Sequence, residues 1–451
     1  MGADVTPAQA RRSTAIQRGQ SLARAVSAAV IVSSLIATRA ATAAAAGPVT
    51  IPVPCNEVAL ENAITAADAS ATGAVLNLKS DCTYALTDTD NTGSNGANAL
   101  PVVTNLITVN GHGDTITAGT GVGPFRILDV EAGGNVVLTQ LTISGGDAGY
   151  GAGVYVGDGA VVAANGVTVS HNVADTTLGQ GIGGGLYIVA SGGLGGGTLT
   201  LSNSRVIHNT AVEGGGLYNL ATTIVSSSQI TGNSASCSSV DCGGNAQGGG
   251  LWNGASLTLL NSMVKDNTAS CVLDGCGAEG GGIASGSVFA GGLVLQHTTM
   301  SRNTTSCSGV ACLAQGGGIW SYGTTVLSGS PVNENTSSCA GSTCAAWGGG
   351  VVNSGSGTMT LAGGSKVTKN RAIAPGGTAV GGGLFNGVYG ATVHLMSGSN
   401  VEENIASAVG GTAAGGGIFN VNPTSGSVTL TQVVVMANSP DQCGGTPTQG
   451  C

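Results

Sequence analysis

A triple glycine returns through most of this chain at a nearly fixed interval, and no other feature narrows its possible folds as much. Copies begin at Gly151 (as Gly-Ala-Gly), Gly183, Gly214, Gly248, Gly280, Gly316, Gly348, Gly381 and Gly415, which is 264 residues in eight steps, an average of 33. A regular period of this length marks a stacked repeat architecture, in which each unit buries its apolar face only against its neighbours. In the unit Gly248–Glu279 the glycines are followed by one aliphatic and one aromatic residue and a polar turn. An alternating run around Leu257 and Leu259 comes next, then Val264, Asn267 and a Cys-containing loop.

A second column is as regular. An aliphatic residue or Met stands three positions before Asn172, Asn209, Asn233, Asn267, Asn303, Asn335, Asn370, Asn404 and Asn438. An inward Asn at one corner of every coil can pass amide hydrogen bonds up the stack and satisfy turn backbone that would otherwise be buried unpaired. Such regularity belongs to architecture rather than to catalysis. Short alternating strands, one coil per repeat and no helical period predict an all-β chain, a parallel β-solenoid. Roughly a dozen coils at the strand spacing of about 4.8 Å make a rod on the order of 55–60 Å long. The core coil needs only about 22 residues, so the rest of each unit is an insertion between the Asn column and the next glycines.

The segments outside the array read differently. Arg11, Arg12, Arg18 and Arg24 precede a short apolar run, Ala25–Ala37, and Ala41-Thr42-Ala43 offers a cleavage site. Residues 1–46 are therefore expected to be a signal peptide, with the Arg pair leaving the general and twin-arginine routes both open. Cleavage after residue 43 leaves 8 basic and 21 acidic residues, a net charge of −13. That balance argues against nucleic acid or an anionic membrane as partner. No later apolar run is long enough to span a membrane. All twelve Cys lie in the mature part, which suits an oxidising, extracellular setting. Residues 47–100 are expected to cap the first coil, with a helix over Val58–Ala69 (Val58, Ile64 and Ala67 on its apolar positions), strands at Ala74–Leu78 and Thr83–Leu86, and a Cys55–Cys82 staple. Asp88–Asn98 reads as a polar loop, residues 101–451 as the solenoid, and 151–438 as its regular part.

These residues carry a resemblance. GGGLYN, GGGLWN and GGGIFN, followed by strands such as LTLLNSMVKDNTA, resemble the repeats of polymorphic outer-membrane proteins and of secreted bacterial parallel β-helix proteins. Cys55-Asn56-Glu57 through Asp68 is similar to the N-terminal cap of those proteins, and Asn438–Cys443 to their last coil. The resemblance implies a right-handed, pectate-lyase-like β-helix and an extracellular or cell-surface role. It implies no enzyme, since many members have no assigned activity.

Candidate chemistry is sparse. Four successive insertions carry Cys237/Cys242, Cys271/Cys276, Cys307/Cys312 and Cys339/Cys344 at one spacing, and Cys443/Cys451 close the tail. Pairing within each loop is expected. Pairing between neighbouring coils is the geometric rival, and no His or carboxylate pattern supports a metal. The aromatic column Tyr155, Tyr187, Tyr218, Trp252, Trp320, Phe385 and Phe419, interrupted by Ala284 and Val352, is either a stack beneath the insertions or a platform for sugar rings. Asp266, Arg302, Glu334, Lys369 and Glu403 precede the column Asn on five consecutive coils and read as a charge ladder. Asp266, Glu334 and Glu403 are the candidate carboxylates for a catalytic pair, and the spacing argues against one. Carboxylates two coils apart stand about 9–10 Å from each other, at or beyond the span for inverting glycosidases, with a cation between them. Gly111-His112-Gly113 is expected to be a turn. No cofactor is expected. The chain reads as a monomeric, exported, non-catalytic repeat protein for an extracellular glycan or cell-surface partner, with a polysaccharide lyase or glycoside hydrolase of the same fold as the rival.

Overall fold

The computed structural model describes residues 47–93, 95–190, 195–286, 291–387, 390–421, 427–446 and 451. The expected export leader lies outside them. Residues 48–451 form one unit, an all-β parallel solenoid of about 11 turns. The coil that starts at Gly248 shows its construction. Leu251–Asn253 belongs to an 11-stranded sheet, and both Ser256–Leu260 and Met263–Lys265 to a 23-stranded sheet. Thr268–Cys271 adds to a 9-stranded sheet and Gly277–Glu279 to a 6-stranded one, before Gly280 begins the next turn. Each strand pairs in parallel with its counterpart one coil away, as Leu257 does with Leu293 and Val264 with Met300.

Outside its insertion, three bends with positive φ shape the coil: Gly248 at 65°, Asn261 at 48° and Asp266 at 55°. After the second and third bends the next side chain turns inward, and it is polar each time. Ser262 Oγ accepts the Ser228 N–H at 3.2 Å, and Asn267 Oδ1 accepts the Asn233 N–H at 2.9 Å. A backbone N–H rotated out of the sheet ladder at a bend is thus met from the neighbouring coil.

The triple glycine and the Asn column are two halves of one contact. The first glycine supplies the left-handed bend. A Cβ on Gly249 would strike the Thr268 and Gly281 carbonyls, and one on Gly250 would stand 2.7 Å from the Gly282 oxygen and 3.0 Å from the Asn267 amide. Only glycine lets the corner close against the Asn side chains and the next coil.

Leu251, Leu257, Leu259 and Val264 are fully buried in the main core with their equivalents from other coils. The insertions are more ordered than the sequence suggests. From Ser234 onward each forms an arch of two strands, and their small inward residues make a second core. Ala235, Cys237, Cys242 and Ala246 in one arch stack on Ala269, Cys271, Cys276 and Ala278 in the next. Ala and Cys recur here because the two walls of an arch leave room for little else.

At the N-terminal end a helix, Glu57–Asp68, covers the first coil, with the Asn56 side chain accepting the Ala59 N–H at 2.9 Å. Its buried positions are Leu60, Ala63, Ile64 and Ala67, whereas Val58 is 61% exposed and not part of the apolar face. The expected polar loop contains an antiparallel hairpin, Asn91–Gly93 with Gly96–Asn98. The expected turn at Gly111-His112-Gly113 is a bulge within one strand, Leu106–Ala118, with His112 at φ 50°. Among the described residues no helix is long and apolar enough to cross a membrane.

Candidate functional site

The Asn column is continuous from Asn172 to Asn438. Each Nδ2 donates to the next Oδ1 at 2.9–3.0 Å, and each Oδ1 also accepts a backbone N–H from the coil before. The second Nδ2 proton of Asn267 goes to the Ile230 carbonyl at 2.9 Å, so the amide is fully used. Gln442 ends the series by accepting from Asn438 Nδ2 at 2.8 Å. A second amide series went unread in the sequence although it sits in the same motif. Asn219 donates to Asn253 at 2.8 Å, and Asn353 to Asn386 and Asn386 to Asn420 at 3.0 and 2.9 Å, with Ser285 and Ser321 holding the column between them.

The seven aromatic candidates lie in one register through the 11-stranded sheet. Tyr218 and Trp252 stack face to face at 4.2 Å, and Phe385 and Phe419 at 5.9 Å. Tyr155, Tyr218, Trp252 and Phe385 are at most 8% exposed, and Tyr187, Trp320 and Phe419 are half-buried. The rings form a largely covered stack, the first of the two arrangements expected for this column. What covers them is the residue preceding each triple glycine.

That flanking column contains two buried carboxyls. It runs Glu213, Gln247, Glu279, Gln315 on four consecutive coils, in register. Glu279 accepts from Gln247 Nε2 at 2.6 Å and from Gln315 Nε2 at 3.2 Å, while Trp252 Nε1 donates to Gln247 Oε1 at 2.8 Å. Burial pushes the Glu279 carboxyl up to about 7, opposed by the Gln247 hydrogen bond, and it also raises Glu213. Alternation with Gln keeps the two carboxylates from adjoining, and the amides supply donors that a stack of Glu would lack. The signal was present as E-GGG, Q-GGG, E-GGG, Q-GGG, but no period-two reading of strands singles it out.

The charged corner is open to solvent. Arg302 makes a two-pronged contact with Asp266 at 2.8 and 3.2 Å, which lowers the Asp266 carboxyl, and Lys369 stands 3.7 Å from Glu403. Among the described residues Glu334 has no ion pair, so the ladder is two pairs rather than a continuous chain. All five residues adopt φ of 52–58°. A further charged residue went unnoticed: Arg126, fully buried, donates to Asn98, Asp129 and the Tyr150 and Asn95 carbonyls and lies 4.7 Å from the Tyr155 ring centre. It ties the hairpin at Asn91–Asn98 to the first coils.

A shallow cavity of about 410 Å³ lies over His112, Gln140, Thr142 and Thr168 and has no carboxylate in its lining. The structure joins Cys55–Cys82, Cys237–Cys242, Cys271–Cys276, Cys339–Cys344 and Cys443–Cys451. It departs from the expected scheme at Cys307 and Cys312, which are buried free thiols whose ionisation burial pushes up. No family model, curated protein or solved structure matches this chain.

Proposed function

We propose that this chain is an exported, non-catalytic right-handed β-helix protein that presents a long repetitive face to extracellular or cell-surface polysaccharide. The observation that carries the reading is the outer face of the 23-stranded sheet. Thr198, Thr222 and Ser256 stand in register, as do Thr324, Thr358, Thr392 and Ser427, with Gly292 between the two groups. This gives an uncharged row of hydroxyls at the spacing of parallel strands, about 4.8 Å. Such a row offers donors and acceptors to a neutral, repeating chain of sugars. The resemblance of the repeats to secreted β-helix proteins, many of them without an assigned activity, supports the non-catalytic side of the reading. The basic leader, the Cys content and the acidic balance support export and a monomer outside the cell.

The test is co-sedimentation of the mature protein with insoluble plant, fungal and bacterial polysaccharides, with released oligosaccharides followed by mass spectrometry. Binding to at least one neutral polysaccharide is expected, weakened at least about tenfold, or about 1.4 kcal/mol, by the double substitution Thr222→Lys, Thr358→Lys. Released oligosaccharides would establish the lyase or hydrolase reading instead.

A further inference from the structure

We propose that the reduced protein holds one soft metal ion in a tetrathiolate site built by Cys307, Cys312, Cys339 and Cys344, the four thiols of two neighbouring arches. Cys307 and Cys339 are direct partners in the parallel register of the 9-stranded sheet, so backbone pairing holds the two Cys pairs one strand spacing apart. The sulfurs of Cys312, Cys339 and Cys344 all lie within 4.8 Å of one another, and Cys312 Sγ is 3.3 Å from Cys339 Sγ. Cys307 extends the group through its hydrogen bond with Cys312. Among the described residues no other three His, Cys, Asp or Glu side chains bring ligand atoms this close.

The geometry matches what a thiolate-bound ion needs. Four sulfurs at about 2.3 Å from a tetrahedral centre are separated by about 3.8 Å, and those of Cys312, Cys339 and Cys344 already lie within 4.8 Å of one another. All four side chains are buried among Ala278, Ala314 and Ala346, which offer no competing oxygen or nitrogen ligand. The Ala278 and Leu313 backbone hydrogen-bonds the Cys307 sulfur, the kind of outer contact that orients metal-bound thiolates. Thiolate softness selects zinc, cadmium, cobalt(II) or copper(I) over magnesium or calcium. A dithiol reductant opens Cys339–Cys344 by supplying two electrons and two protons, becoming a cyclic disulfide itself. A divalent ion then displaces four thiol protons and takes four metal–sulfur bonds. In the oxidised protein two of the four ligands are tied to each other, so the ion has no site.

The experiment is a cobalt(II) titration of the full chain, reduced with a dithiol and desalted without oxygen, with far-ultraviolet circular dichroism recorded before and after reduction. The expected result is one equivalent of ion with the intense visible bands of tetrahedral cobalt and an ultraviolet thiolate charge-transfer band. Cys312→Ser should weaken binding by about 100-fold, while Cys237→Ser leaves it unchanged. Zinc should abolish the cobalt spectrum at one equivalent. The proposal is overturned by a weak octahedral spectrum, by bands that survive Cys312→Ser, by equal sensitivity to Cys237→Ser, or by loss of the fold on reduction.

Discussion

At the scale of single residues, the buried amides and carboxyls have separable signatures. Asn267→Ala leaves the Asn233 N–H without an acceptor inside the solenoid and takes one donor from the Ile230 carbonyl. The expected cost is about 3 kcal/mol, read from the denaturant midpoint, with hydrogen exchange of the Asn233 amide accelerated more than that of distant coils. Glu279 behaves differently because its folded-state pKa is raised from 4.5 to about 7. Below pH 4.5 it is protonated in both states and its stabilising contribution is complete. Between pH 4.5 and 7 the unfolded chain ionises first, so stability falls, and above 7 the loss is constant. Glu279→Gln should flatten this slope and raise stability at pH 8 by up to about 3 kcal/mol, visible in melting curves taken at pH 4.5 and 8. A slope that persists in the variant would assign the pH dependence to another group, Glu213 being the nearest in kind. Glu334 is exposed, unpaired and at φ 58°. Glu334→Asn is expected to stabilise by about 0.5–1 kcal/mol, since Asn tolerates the left-handed region better. A measurable loss of polysaccharide turnover in that variant would instead make Glu334 a working carboxylate.

At the scale of the element, the corner and the arch make different demands. Gly249→Ala places a methyl group against two carbonyls of packed neighbouring backbone, a clash that no side-chain rotation relieves. A loss of several kcal/mol is expected, on the order of 3 or more, because the coil must separate from its neighbour. Gly275, unlike Gly249, is at positive φ, and an added Cβ there meets nothing. Gly275→Asn should therefore cost under about 1 kcal/mol. Comparable losses for the two variants would mean that close approach does not set the cost at Gly249. The arches obey the same logic in miniature: their Ala and Cys cannot grow without parting the two strands that enclose them.

At the scale of the whole solenoid, stability is a sum over coils and the contacts between successive coils. Deletion of residues 248–279, one full repeat, joins Gln247 to Gly280 and lets Asn233 meet Asn303 in place of Asn267. The shortened protein is expected to remain folded with the same circular dichroism per residue and a smaller denaturant slope, since less surface is exposed on unfolding. Deletion of 16 residues from Leu257 to Val272 removes part of a coil, breaks the register of both the Leu and Asn columns, and should leave the C-terminal coils unable to pair. If both deletions unfold the protein alike, the repeat is not the unit of stability.

The sequence by itself determined the solenoid, because a period of 33 with alternating Leu257 and Leu259 and an Asn at one corner of every coil admits only coils stacked in register. It determined the role of the Asn column for the same reason: a polar group repeated at one buried corner must be satisfied by its own copies. Only the tertiary structure decided what covers what. Glu213, Gln247, Glu279 and Gln315 stand one position before each triple glycine, and nothing in their spacing tells whether they face water or the rings of Tyr218 and Trp252. The Ala and Cys of the insertions could line a loose loop or a second core, and the closing of the arch settles which. Arg126 looked like one scattered charge until the hairpin at Asn91–Asn98 folded over it. Periodicity along a chain records contacts between equivalent residues. Contacts between different columns depend on how far each insertion folds back, a distance that the repeat length does not encode.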